Sequence, residues 1–419
     1  MNQTRRNFLL GVLNGAFYIL AEAIMEPNLV LATFVGYLTA SPLWIGLIVP
    51  LRDGAWFLPQ LWVSGFMQSE PRKMPLYRQM IVVRLIGWSA LVASVFIIRD
   101  PTILLIAVFA SFSLTAIASG ISGLPFLEIV GKTVPPRQRG EYFAWRLASG
   151  GLAGLGGSVL VRWMLDEHSP YPFPINFAIL FAISLGFAAL GLYAFAIIHE
   201  PDSLNVSPRA SLSHQLRRAM QLVRSDHNYR RFIYLRSALI VGGAATPFFA
   251  IYVQQTFNGS VAMIAVYLAI YTVSNLFSNL MFTRFTSRLG NRRTMGIAAL
   301  AGLVMTLAVL SLIMAASLWG VSGWIASLWL LPVFALSGLR ESGTGVAGQS
   351  LLLDIAPVDD RAIYLGFTNS FIGIILLGTG ISGVIVQVAG FPALLFLAIL
   401  AHIFGLIAVN RMRDSPLAA

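Results

Sequence analysis

The stretch PALLFLAILAHIFGLIAVN, residues 392–410, decides the fold class of this chain. It contains no acidic residue, no lysine and no arginine, and His402 is its one titratable side chain. A helix of about 20 such residues spans the hydrocarbon core of a bilayer. Arg411 and Arg413 follow it. The stretch therefore predicts a membrane-spanning helix with a basic end.

The composition extends this prediction to the whole chain. Of the 419 residues, 57% are hydrophobic and 11% are charged, whereas a soluble domain carries about 25% charged residues. A mean hydropathy of +0.78 excludes an ordinary cytoplasmic enzyme. The chain has no cysteine, and no two of its five histidines have a metal-ligand spacing within a span. We expect no metal site, no cofactor and no enzymatic activity.

Apolar segments separated by turn signals divide the chain into twelve predicted spans, six on each side of a polar stretch. We therefore predict an all-α polytopic membrane protein of two pseudo-symmetric six-helix bundles, residues 1–199 and 230–419. The linker 200–229 contains an amphipathic pattern that predicts an interfacial helix, although its start could equally be a solvated linker. The predicted spans are 7–38, 43–67, 79–98, 101–130, 141–165, 174–199, 230–256, 260–286, 294–316, 323–353, 362–389 and 392–410.

The basic residues predict how the spans are oriented. If the N-terminus is cytoplasmic, 21 of the 28 Lys and Arg fall in predicted cytoplasmic segments, and Arg99 alone falls in a predicted outer loop. Such an excess is typical of cytoplasmic loops. We therefore expect a multi-pass protein of the cell inner (plasma) membrane with both termini cytoplasmic. Because these residues meet anionic lipids, the net charge of +11 does not indicate nucleic-acid binding.

The N-terminus permits a second interpretation. Arg5 and Arg6 precede an apolar run, as in a twin-arginine export signal. The apolar run continues to about Leu38, past the small-residue triplet at 21–23 where such a signal would be cleaved. We favour the arginine pair as a cytoplasmic anchor of the first span.

The two halves match each other at an offset of 220 to 222 residues, which is typical of a two-bundle transporter. PPRQRG at 135–140 is similar to the Pro-x-x-x-Arg-Gly turn of the major facilitator superfamily and is echoed at 357–361. Residues 287–293, SRLGNRR, look like a worn copy of that family's Gly-x-x-x-Asp-Arg-x-Gly-Arg-Arg loop, whereas 65–73 lacks the Asp-Arg pair. Over its whole length the chain resembles this family, and the resemblance implies a secondary transporter that works by alternating access.

Charges predicted inside the spans mark the candidate binding site, because each costs about 3 kcal/mol at mid-bilayer on insertion scales. The resemblance implies that the first and tenth spans line a central cavity. We expect at least one of the acids there to bind and release a proton; alternatively, Glu22 or Glu26 only pairs with an arginine to hold helices together. The predicted substrate- and proton-binding residues are Asn14, Tyr18, Glu22, Glu26, Arg52, Asp53, Trp56, Tyr271, Asn275, Arg340 and Glu341.

Two further sets of residues are predicted to act in conformational change. Pro27 and Pro247 lie within the first span of each bundle, where each predicts either a hinge or a static kink. Charged residues near the cytoplasmic ends predict an inner gate, with snorkelling to the interface as the alternative for Arg84 and Arg236. The predicted gate residues are Arg84, Glu128, Arg139, Arg146, Arg236 and Arg361.

The mixture of acids, arginines and aromatic residues favours a small amphipathic or zwitterionic organic substrate. The sequence contains no nucleotide-binding cassette, so an ion gradient, most simply of protons, would supply the energy. The glycine-rich segment 150–157 is somewhat like the fifth helix of family antiporters, and it favours proton antiport and export. Proton-coupled uptake, a lipid flippase and a non-transporting solute sensor are the alternatives. We expect a monomer whose partners are the substrate, protons and membrane lipids.

Overall fold

The computed structural model describes residues 3–67, 70–166, 168–202, 212–357 and 361–413. Within these ranges all regular structure is helical. Each of the twelve predicted spans is occupied by helix, and the amphipathic pattern of the linker forms a helix of its own. The prediction of an all-α polytopic membrane protein is confirmed.

The helices of the first half are interrupted in the first two predicted spans. Five-residue π-helical turns at Pro27–Leu31 and Pro50–Gly54 replace regular α-helix there. The α-helices are α1 (Gln3–Ile24), α2 (Ala32–Leu38), α3 (Pro42–Val49), α4 (Ala55–Phe57), α5 (Gln60–Met67), α6 (Met74–Ile97), α7 (Pro101–Thr133), α8 (Arg139–Leu165) and α9 (Ile175–Ala196).

The second half begins with the amphipathic linker helix, and turns at residues 244–247 and 379–380 interrupt two of its predicted spans. The first of these turns is hydrogen-bonded and includes Pro247, which directly precedes the helix that begins at Phe248. The helices are α10 (Leu212–Ser225), α11 (His227–Gly243), α12 (Phe248–Phe257), α13 (Met263–Leu289), α14 (Asn291–Trp319), α15 (Gly323–Ile355), α16 (Arg361–Gly378), α17 (Ile381–Ala389) and α18 (Phe391–Asn410).

Ten helical segments among the described residues are long and apolar enough to cross a membrane. Breaks in the helix and polar residues explain why two predicted spans are not among these ten segments. Residues 43–67 are broken into α3, the π-helical turn, α4 and α5. Helix α8 is continuous, but its glycines, its three arginines and Glu141 dilute its apolar character. The ten segments are consistent with twelve spans.

The chain divides into two compact units. One comprises Met1–Thr39 and Leu51–Leu212, and the other comprises Ala40–Pro50 and Ser213–Ala419. In the second unit, α3 packs against α17, where a Cβ on Gly46 would lie 2.5 Å from the backbone nitrogen of Gly383. The bundle limits predicted from the sequence, 1–199 and 230–419, stay a prediction.

Candidate functional site

The π-helical turns bring the predicted charges of the first unit together. Pro27 and Pro50 begin these turns, since proline cannot donate the backbone hydrogen bond that a regular helix requires at its position. Single π-helical turns within α-helices are frequent at functional sites. Glu26 immediately precedes the first turn, and Arg52 and Asp53 lie within the second. Pro27, predicted as a hinge or a static kink, therefore lies at an interruption of the first span.

Arg52 lies at the centre of this group, which we call the Arg52 cluster (Tyr18, Glu22, Glu26, Arg52 and Asp53). Its guanidinium donates to one carboxylate oxygen of Glu22 and lies 3.7 Å from Asp53. The other Glu22 oxygen accepts a hydrogen bond of 3.0 Å from the Tyr18 hydroxyl. About a third of each side chain in the Arg52–Glu22 pair is exposed. The pair is thus satisfied internally and still accessible to a ligand.

Glu26 differs from the other acids of the Arg52 cluster. Tyr18 and Glu22 lie four residues apart on one face of α1, but α1 ends at Ile24, so Glu26 does not continue that face. Glu26 is 8% exposed, and one carboxylate oxygen accepts a 2.9 Å hydrogen bond from the Asn28 amide. Its other oxygen is buried and has no hydrogen-bond partner among the described residues. The guanidinium of Arg52 acts on Glu26 electrostatically.

Aromatic rings and a second arginine pack around the Arg52 cluster. The guanidinium of Arg84 lies 4.7 Å from the centre of the Tyr18 ring, which is a cation–π contact. Trp88 meets the same ring edge-on at 6.5 Å and donates to the Met25 sulfur at 3.0 Å. Trp56 packs where α7 has glycines, since a Cβ on Gly120 would lie 2.4 Å from the Trp56 carbonyl oxygen.

Asn14 lies deeper within the first unit. Its amide donates to the Gly191 carbonyl of α9 at 2.8 Å, and its oxygen accepts from Arg146 at 2.6 Å. Asn14 is 3% exposed. These contacts hold α1 against its neighbours, and they do not bring Asn14 into the Arg52 cluster.

The predicted charges of the second unit form a smaller group. Arg340 donates to the Leu239 carbonyl at 3.2 Å, next to the end of α11, and lies 3.8 Å from Glu341. The Arg340 side chain is 13% exposed and that of Glu341 is 57% exposed. Asn275 donates to the Gly338 carbonyl at 3.3 Å, and Tyr271 is half-buried one turn before it on α13.

The predicted gate residues whose side chains the structure describes each contact their own unit. Glu128 lies 3.4 Å from Lys73 and 3.8 Å from Lys132. Arg139 donates to the Val134 carbonyl at 3.2 Å, beyond the end of α7. Arg236 donates to the Thr344 carbonyl at 3.4 Å. No ion pair joins two of these residues in the part of the chain that the structure describes, and the side chain of Arg361 lies outside it.

Two buried residues that the sequence did not single out contact several helices of their own unit. Glu200 follows α9, and its carboxylate accepts from the backbone nitrogens of Lys73 and Met74 at 2.7–2.9 Å and from the Lys132 ammonium at 2.6 Å. His402 is fully buried in α18. The sequence places Glu200 before Pro201 and His402 within an apolar span, but neither pattern reveals its contacts.

Helix α14 offers a direct test of the packing around His402. A Cβ at Gly302 would lie 2.3 Å from the His402 ring, and one at Gly242 would lie 2.5 Å from it on the side of α11. The ring is held between two helix backbones and cannot move aside. We expect Gly302→Ala to lower the free energy of unfolding by about 1–3 kcal/mol, the usual cost of overpacking. Chemical unfolding in detergent measures it.

Gly296→Ala, on the same helix, is the matched control. Its Cβ would lie 3.7 Å from the nearest side-chain atom, which is ordinary van der Waals contact. This variant should be neutral or gain up to about 1 kcal/mol from the higher helix propensity of alanine. Equal stabilities of the two variants would contradict the packing role of His402.

Comparison with known protein families finds one matching model. A sequence model described as "Major Facilitator Superfamily" matches residues 11–321 and 237–418. No curated protein sequence matches the chain.

Solved structures of similar fold are transporters with low sequence identity. A POT family transporter in complex with a thioalcohol-conjugated peptide has a TM-score of 0.71 at 12% identity, covering 96% of this chain and 95% of its own. A D-xylose–proton symporter has a TM-score of 0.69 at 14% identity, covering 99% of each chain. A nucleoside transporter has a TM-score of 0.67 at 13% identity, covering 98% of this chain and 99% of its own. At these identities the likeness establishes the fold.

Proposed function

This chain belongs to the Major Facilitator Superfamily of secondary transporters, and from that premise we propose that it moves a small zwitterionic or amphipathic organic solute by proton-coupled alternating access. The observation that supports this proposal is the Arg52 cluster, which places three carboxyl groups beside one arginine in a membrane-spanning bundle. Charges at such depth are expensive, and in transporters they mark substrate and proton pathways.

The accessible part of the cluster suits a zwitterion. An arginine guanidinium binds a carboxylate through two parallel hydrogen bonds. Asp53 and Glu22, on either side of Arg52, supply acceptors for an ammonium group. The half-buried Tyr18 ring adds an apolar surface for the rest of the solute, with the buried Trp88 packed against it. A solute with both charges and a short apolar body would satisfy all these groups together.

The buried part of the cluster suits a proton. Glu22 has Arg52 and Tyr18 as partners, whereas one oxygen of Glu26 has none among the described residues. A buried carboxylate without a partner is costly, so protonation of Glu26 relieves the cost. Arg52 lies beside Glu22 and Asp53, and Arg84 packs over the Tyr18 ring. We propose that Glu26 is the acid that takes up and releases the coupled proton.

The glycines of α8 are the feature of the sequence that favours one direction of transport, export by antiport. A Cβ on Gly150 would lie 2.6 Å from Ile19 of α1, and one on Gly157 would lie 3.1 Å from Leu20. These glycines therefore allow α8 to pack closely against α1. Proton antiport with export and proton symport with uptake remain the two forms of the proposal, and flux against a pH gradient of either sign distinguishes them.

A two-stage experiment tests the function. A thermal-shift screen of the purified protein against amino acids, dipeptides, nucleosides, pentoses and cationic drugs selects a solute. Flux of that solute is then measured in liposomes with an imposed pH gradient, for the wild type and for single neutralisations. The variants are Glu22→Gln, Glu26→Gln, Asp53→Asn and Glu341→Gln. Proton coupling is rejected if every variant still accumulates the solute, and transport is rejected if the wild type binds without flux.

A further inference from the structure

A groove between α11 and α18 lies at the end of the second unit where α11 begins and α18 ends. It has a volume of about 230 Å³. One wall is apolar and outward-facing: Tyr234 is 47% exposed, Phe404 is 50% exposed and Ile407 is 44% exposed. The Tyr234 and Phe404 rings lie 6.1 Å apart. On a membrane-spanning helix, side chains of this kind at the protein surface meet lipid acyl chains.

The other side of the groove is basic. His227, Arg230, Arg231 and Arg411 line it, and none of its lining residues is acidic. Arg231 donates to the Arg411 carbonyl, which fixes its position without neutralising its charge. Arg230 makes a weak 3.4 Å contact with the carbonyl of a residue in α10.

The carboxylate that immediately precedes α11 is occupied elsewhere. Asp226 accepts from the backbone nitrogens of Asn228 and Tyr229 at 2.8 and 3.0 Å, which caps the start of α11. Its second oxygen accepts from the Tyr364 hydroxyl at 2.9 Å. Neither Arg230 nor Arg231 forms an ion pair with any residue that the structure describes. The groove therefore has a positive charge beside an apolar wall, and no described residue supplies a counter-ion for Arg230 or Arg231.

We propose that this groove binds one anionic phospholipid, its phosphate against Arg230 and Arg231 and an acyl chain along Tyr234 and Phe404. Basic pockets between spanning helices bind anionic lipid headgroups in this way. The distribution of Lys and Arg along the sequence predicts that this end faces the inner leaflet, where anionic lipids are found. The proposal needs the membrane placement alone and does not depend on the substrate.

A second groove, on the opposite face of α18, provides a charge-matched comparison. It has a volume of about 270 Å³ and is lined by Arg292 and Arg293 on α14. Arg292 donates to the Met412 carbonyl at 2.7 Å, so it holds the segment that follows α18. This groove lacks aromatic side chains. It thus has a pair of arginines, as the first groove does, but no aromatic wall.

Photo-crosslinking in vesicles tests the proposal. A benzoylphenylalanine at Phe404 reports lipid in the groove, and one at Phe396, exposed two turns away on α18, is the control position. In vesicles of equal phosphatidylglycerol and phosphatidylcholine, we expect position 404 to label phosphatidylglycerol at least about fivefold more, the effect of one arginine at a membrane surface. Position 396 should show no preference.

Charge variants assign the preference to the groove. Arg230→Gln with Arg231→Gln should remove the preference at position 404, whereas Arg230→Lys with Arg231→Lys should retain most of it. Arg292→Gln with Arg293→Gln should leave it unchanged. Equal labelling of the two lipids by the wild type would overturn the proposal without requiring any charge variant to fold. Displacement of the phosphatidylglycerol label by millimolar inorganic phosphate would also overturn it, because the site would then bind free phosphate.

Discussion

Glu26→Gln is expected to abolish accumulation of solute driven by a pH gradient while leaving exchange of solute across the membrane intact. One proton moving down a gradient of one pH unit releases about 1.4 kcal/mol, which supports about tenfold accumulation of a solute coupled to it. A variant that cannot exchange the proton should reach equal concentrations on both sides. The measurement is the steady-state concentration ratio in liposomes at an imposed gradient of one unit.

The expectation follows from the position of Glu26 at the interrupted part of the first span. Its side chain is 8% exposed, and one oxygen has no hydrogen-bond partner among the described residues. Glutamine has the same size and retains an oxygen that can accept from Asn28, so the replacement removes the titration and little else. The folded structure should therefore survive the change.

Glu22→Gln is the matched control within the same cluster. Glu22 is engaged by Arg52 and Tyr18, so its neutralisation should weaken solute binding and leave the coupling ratio of the remaining flux near that of the wild type. If Glu26→Gln still concentrates solute about tenfold at one pH unit, Glu26 is not the coupling residue. If neither variant affects flux or binding, the Arg52 cluster has a structural role alone.

The sequence was sufficient for the architecture because a bilayer imposes a strong constraint on each span. Backbone groups in hydrocarbon must be satisfied within the segment, so a long apolar stretch such as 392–410 has one available structure, the helix. The same physics identified Glu22, Arg52 and Asp53, since charges are rare in such stretches and stand out. Their proximity then followed in the structure from the π-helical turn at Pro50–Gly54.

The division of roles within the candidate site could not be predicted from the sequence. An i, i+4 pattern treats Glu22 and Glu26 as equivalent, whereas the helix ends at Ile24 and places them in different surroundings. His402 and Glu200 were missed for a related reason. Their contacts join segments far apart in the chain, and neither residue type has a spacing that indicates such a contact.

The largest effect on stability is expected at Glu200. Its carboxylate is almost fully buried and accepts from the first backbone nitrogens at the start of α6, where Lys73 provides no side-chain cap. The first four N–H groups of a helix have no partner within the helix, so a distant acid replaces the usual capping residue here. Lys132 shares the same carboxylate at 2.6 Å. One side chain thus joins the end of α9 to α6 and α7.

Glu200→Ala should lower the free energy of unfolding by about 3–5 kcal/mol, because it removes the buried partner of Lys132, which keeps only the longer contact with Glu128, and leaves the helix end without its acceptors. Glu200→Gln keeps an acceptor for the helix and should lose less. Adding Lys132→Met to Glu200→Gln should recover part of that loss, since the ammonium group that Glu200 balanced is then gone. Chemical unfolding in detergent, followed by circular dichroism, gives the three values.

Asp202→Asn, two residues further along, separates this effect from the mere loss of an acidic residue. Asp202 pairs with Arg72 at the surface, where more than half of each side chain is exposed. Hydrogen bonds from Arg72 hold the pKa of Asp202 below its usual value. The pair therefore stabilises the folded protein at pH values above the pKa that Asp202 has in the unfolded chain. This stabilisation is lost as the pH falls through the pKa of Asp202 in the folded protein.

At pH 7 exposed pairs contribute little to stability, so Asp202→Asn should change stability far less than Glu200→Ala. Similar losses in the two variants would show that burial of Glu200 against the start of α6 is not what stabilises this end of the unit.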